Sequence, residues 1–162
     1  MSERTAPNFG TLLAPFIAQV PQQAIPRFLA LLERGAAQRY REWAVEIPEH
    51  SEVLVACARR EDEIADRVDA VWAIDASLLD QLNAPLPAAR ALYYSIFVGL
   101  DPWEQLDIQA NAELQGAAAW RGIAANHSDA RVVDELLHCA RLEEESSREL
   151  LRIITRRRRA GD

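Results

Sequence analysis

Apolar residues recur at helical spacing along most of the chain. From about Pro26 to Glu46 an inward stripe reads Leu29, Glu33, Ala36, Ala37, Tyr40, Trp43, Ala44 and Ile47, and Pro48 stops it. From about Ser51 to Ile74 the stripe is Leu54, Cys57, Ala58, Glu61, Ile64, Ala65, Val68, Val71 and Trp72. Asp101-Pro102 is a good N-cap and first-turn pair. It opens a third helix to about Ala125, with Leu106, Glu113, Gly116, Ala117, Trp120, Ile123 and Ala124 facing inward. A fourth, from about Asp129 to Arg156, carries Val132, Val133, Leu136, Cys139, Ala140, Glu143, Ser146, Ser147, Leu150, Ile153 and Ile154. Two shorter segments precede these pairs. One covers about Thr11 to Val20 and leads to Pro21 and Pro26; the other covers about Ala88 to Val98, after the connector Asn83–Pro87. Pro21 or Pro26 can stand in a helix first turn. No long alternating run and no Asn-Gly or Asp-Gly hairpin turn occurs, so the pattern predicts an all-α fold.

The two halves resemble one another. Glu33-Arg-Gly-Ala-Ala-Gln-Arg-Tyr40-Arg41 parallels Glu113-Leu-Gln-Gly-Ala-Ala-Ala-Trp120-Arg121, and Cys57-Ala-Arg-Arg-Glu61 parallels Cys139-Ala-Arg-Leu-Glu143. Pro21 and Pro102 fit the same spacing. A unit of about eighty residues is too long for a solenoid repeat. It suggests a duplicated helical hairpin, repeat 1 over about 11–79 and repeat 2 over about 86–156, forming a four-helix bundle in one domain, 1–162. Each hairpin is preceded by a short helix.

Glu33, Glu61, Glu113 and Glu143 interrupt otherwise apolar stripes, and an unpaired buried charge is expensive. Glu33 and Glu61 stand equally far from Ile47, where the first hairpin turns. Glu113 and Glu143 stand equally far from Ser128, where the second does. Each pair should therefore meet at one level, and four carboxylates should converge in mid-bundle. Oxygen-only clusters suit Mn, Mg or Fe. Arginine neighbours (Arg59, Arg60, Arg141) or shared protons offer metal-free ways to satisfy them.

The Glu-x6-Tyr of the first long helix, the equivalent Glu-x6-Trp of the third, and the Ala- and Glu-rich second and fourth helices resemble the ferritin-like superfamily, rubrerythrins in particular, over roughly Pro26 to Ile154. In that superfamily one Glu on each of two helices and a Glu-x-x-His on each of the other two bind two irons. The resemblance implies Glu33, Glu61, Glu113 and Glu143 as the metal ligands, and its histidine positions fall on Ile64 and Ser146. The imidazoles are missing, which speaks against iron oxidation of the superfamily type. Two functional readings follow: a non-catalytic ferritin-like module with a degenerate site and no cofactor, or a carboxylate-only di-metal protein holding Fe or Mn, with oxidoreductase or metal-handling activity. A third is a small-ligand binder using the alanine-lined space beside Gly35 and Gly116.

Composition narrows the rest. The chain has 162 residues and a net charge of −7, and its 18 basic residues are all Arg. The acidic balance speaks against nucleic acid, and the absence of Lys excludes Schiff-base and phosphate-loop lysine chemistry. Cys57 and Cys139 make no disulfide scaffold and read as small core residues or, less simply, soft ligands. His50, His127 and His138 fall off the glutamate faces. Tyr40 and Trp120 read as core aromatics or hydrogen-bonding partners of a site. Tyr93, Tyr94, Phe97 and Trp103 mark an apolar region, an oligomer interface or a lid over the bundle end. Arg156–Arg159 read as a frayed terminal run. No signal peptide and no membrane span is evident, so a cytoplasmic homodimer is the expectation.

Overall fold

Prolines and capping side chains set where the helices begin. A computed structural model describes residues 6–161. In it α1 spans Phe9–Ile17, α2 Ile25–Glu46, α3 Ser51–Val71, α4 Leu79–Asn83, α5 Leu86–Ser95, α6 Pro102–Ala125 and α7 Ala130–Gly161. The described residues contain no strand. Asp101 opens α6 with a capping box: its carboxylate accepts from the Trp103 and Glu104 amides, and Glu104 reaches back to the Asp101 amide. Asn8 caps α1 by accepting from the Thr11 amide. Pro26 takes the first turn of α2. Pro21 instead leads a 3-10 turn at Gln22–Ala24.

The boundaries depart from the periodicity in four places. Helix α3 stops at Val71 rather than Ile74, because Trp72 turns away and its indole donates to the Gln23 carbonyl. The second short helix starts at Leu86, with Pro87 in its first turn, and ends at Ser95, while α4 occupies part of the expected link. Helix α1 runs from Phe9 to Ile17, starting before Thr11 and stopping short of Val20, with Pro15 inside it. Helix α7 does not fray at its arginines. Arg157 lies over the Trp103 ring at 4.4 Å and Arg158 reaches Asp107 at 3.5 Å, so the run stays helical to Gly161 and packs against α6.

Helix α2 pairs along its length with α3, and α6 with α7; the two hairpins join through α3 and α7. Side chains from the end of α2, the start of α3, the start of α6 and the end of α7 make one apolar layer, including Trp43, Leu54, Leu106 and Leu150. The opposite helix ends make a second, including Ile64, Ala117, Leu136 and Cys139. This sharing of ends fixes the directions: α2 runs opposite to α6 and α3 opposite to α7. Residues 72–101 must then travel the length of the bundle between α3 and α6, about 30 Å at about 1.5 Å per helical residue.

A third apolar cluster lies to the side, where Phe28 of α2 meets Leu82, Leu86 and Ala89. Helices α1 and α5 cover the side of the bundle between α2 and α6. Gln115 of α6 fastens the start of α1, accepting from the Phe9 amide at 2.8 Å and donating to the Pro7 carbonyl at 2.8 Å. Ion pairs line the outer seams. Arg34 meets Asp66 and Asp69, Arg67 meets Glu135, and Arg121 meets Glu144. Such half-exposed pairs contribute about 0–1 kcal/mol each and set register more than stability.

Candidate metal centre

The heights read from the hairpin midpoints hold. Glu33 of α2, Glu61 of α3 and Glu143 of α7 each bring a carboxylate oxygen to within 4.8 Å of the other two. Glu113 of α6 lies in hydrogen-bonding reach of Glu61 and Glu143. The four carboxyls form a polar layer between the two apolar ones. Glu61, Glu113 and Glu143 are 1%, 1% and 2% exposed. Glu33 is half-buried, its carboxyl turned into the layer.

Two aromatic donors stand in matching positions. Tyr40 of α2 donates its hydroxyl to Glu113 Oε1 at 2.6 Å. Trp120 of α6 donates its indole N–H to Glu143 Oε1 at 3.1 Å and is within reach of Glu33. Both aromatics therefore fill core space and also orient the layer. Gln109, one helical turn before Glu113, donates to the same oxygen at 2.7 Å and accepts from the Tyr93 hydroxyl at 2.8 Å. Its i−4 spacing from Glu113 was the sequence signal for it.

What the layer lacks is positive charge. Among the described residues no arginine makes an ion pair with any of the four glutamates. Arg60 pairs instead with Glu145 at 3.0 Å, and Arg59 and Arg141 are exposed. Both oxygens of Glu61 and Oε2 of Glu113 are buried without a donor; the groups within reach of Glu61 are other carboxyls. Burial first, and then the Glu113 charge, push Glu33 up to about 7. Burial, with the neighbouring carboxylates behind it, holds Glu61 and Glu143 well above the usual carboxylate range.

The remaining candidates lie elsewhere. Ile64 belongs wholly to an apolar layer, while the buried Ser146 hydroxyl has no partner. Cys57 and Cys139 occupy opposite apolar layers, on either side of the carboxylates, and burial pushes each thiol up to about 12. A thiol so raised is a poor soft ligand. His50 packs edge-on to Trp103, His127 lies against Trp72, and His138 sits 3.5 Å from Glu63. No known protein family, curated protein or solved structure matches the chain.

Gly116 is required at the layer. A Cβ there would stand 2.6 Å from Glu143 Oε1. Gly116→Ala gains about 1 kcal/mol of helix propensity, but the displaced carboxylate gives up the Trp120 indole at about 1–3 kcal/mol. Net destabilisation is expected in urea titrations. Gly122, on the same helix with open space around it, should respond oppositely, Gly122→Ala being stabilised by up to about 1 kcal/mol.

Proposed function

We propose that the chain is a ferritin-like helical bundle whose four mid-bundle glutamates hold divalent metal, Mn or Fe, through oxygen alone. The observation that carries this reading is the orphaned pair of Glu61 oxygens, buried and facing only carboxyls. Buried carboxylates without donors are costly, and a hard cation is the partner that a wholly carboxylate donor set fits. Glu33, Glu61 and Glu143 would be the direct ligands, with Glu113 completing the set. Tyr40, Gln109 and Trp120 would orient Glu113 and Glu143, as outer-shell donors do at metal sites. A bound cation supplies the positive charge the layer lacks.

A second reading is favoured by the residues at the expected imidazole positions, Ile64 and Ser146. On it the layer is a degenerate, non-catalytic site whose carboxyls share protons, and no cofactor is used. Metal retention separates the two. After loading with Mn(II) or Fe(II) and dialysis, Glu33→Ala and Glu143→Ala should each lose the metal the natural chain keeps. Metal content unchanged by both substitutions would sink the assignment.

The duplication of the two hairpins and a homodimeric state belong to the same proposal. Supporting the dimer are Val45 and Val98, 81% and 79% exposed at the same end of the bundle. No helix among the described residues is long and apolar enough to cross a membrane. The net charge of −7 disfavours nucleic acid as a partner.

A further inference from the structure

A cavity of about 220 Å³ opens between α1, α2, α5 and α6 and reaches the carboxylate layer at its inner end. Its wall is apolar, with Leu13, Leu32, Ala36, Ile96 and Ala112 among the lining side chains. One cation lies on it, Arg90 of α5. Arg90 donates from Nη2 to the Leu31 carbonyl at 3.2 Å, but its Nε is buried with no partner, and no carboxylate among the described residues pairs with it. Gly35 makes the room: a Cβ there would stand 3.4 Å from Arg90 Nε. An unpartnered guanidinium N–H beside an apolar cavity is unexpected unless something else completes it, because a buried donor left unmade costs about 1–3 kcal/mol.

We propose that this cavity binds an amphiphilic monocarboxylate, its head on Arg90 and its hydrocarbon body along the apolar wall. Arginine matches a carboxylate in a fork of parallel hydrogen bonds. The charges at the two ends set the orientation. A carboxylate at the inner end would face Glu33, Glu113 and Glu143, which line it, so the apolar tail goes there. A cavity of about 150 Å³ holds benzene, so this one suits about eight to ten carbons. The orientation is that of the metal-free layer, since a cation held by the glutamates would attract a carboxylate to the inner end.

Titration calorimetry of the purified, metal-free protein with octanoate, octanol and octylamine tests it. Octanoate should bind once per chain, and octanol at least tenfold more weakly. Arg90→Gln, which removes the guanidinium charge, should weaken octanoate at least tenfold and leave octanol unchanged. Ala112→Phe should abolish both while keeping its helical circular dichroism. Absence of octanoate binding, equal octanoate affinity in Arg90→Gln, or tighter binding of octylamine would each overturn the proposal. Should Ala112→Phe not fold, the Arg90→Gln comparison decides alone.

Discussion

Replacing Glu61 with glutamine is expected to do two opposite things. Metal affinity should fall at least a hundredfold, since the loss of a mere outer-shell partner already costs about 10–100-fold. The metal-free protein should become more stable at pH 8, by about 1–3 kcal/mol. Glutamine keeps the shape, removes a charge that burial disfavours, and offers two N–H donors to Glu33 and Glu113, which lie within reach. At pH 5, where Glu61 is already protonated, the gain should vanish. An internal ion pair would give the reverse sign, because removing one partner strands the other. Chemical unfolding of the metal-free variant at the two pH values reads the sign directly, and destabilisation at pH 8 would refute the orphaned-carboxylate account.

The second large effect is a divergence, growing with pH, between the metal-free and the metal-loaded protein. Glu33 rises from an ordinary 4.5 to about 7 on folding, and burial also holds Glu61 and Glu143 well above the usual carboxylate range. Groups raised in the folded state take up protons as the chain folds. Their stabilising contribution is complete below the unfolded value near 4.5 and is lost as pH climbs through about 7 and beyond. The metal-free melting temperature should therefore decline between pH 5 and pH 8. A cation must displace those protons, so its affinity grows with pH, and its stabilisation grows with affinity. In excess Mn(II) that decline should be offset, so the two curves start together at low pH and diverge as pH rises. Parallel curves with and without Mn(II) would mean that no cation competes with the protons.

How much of this was legible in the sequence follows from the range of each interaction. The four long helices and the level of their glutamates rest on local periodicity and on hairpin symmetry about Ile47 and Ser128, and both were readable. Arg39 was not. It sits between Gln38 and Tyr40 and reads as an outer-face residue, yet it is buried over the Trp43 ring at 4.8 Å and bonded to Gln105. That partner lies on α6, 66 residues further along the chain, and no spacing rule connects them. The destination of Arg60, Glu145 rather than a core glutamate, was equally hidden. Helix α1 is apolar nearly all round and has no fully buried residue, so its periodicity could not say which side it covers. The cavity beneath it was anticipated only as alanine-lined space beside Gly35 and Gly116.

Metal content of the purified chain, measured by mass spectrometry after anaerobic loading with Mn(II) or Fe(II) and exhaustive dialysis, tests the carboxylate layer most directly. Near-stoichiometric retention, absent from Glu61→Gln, is the predicted result. A natural chain that keeps no metal would contradict it and leave the four glutamates as a proton-sharing core.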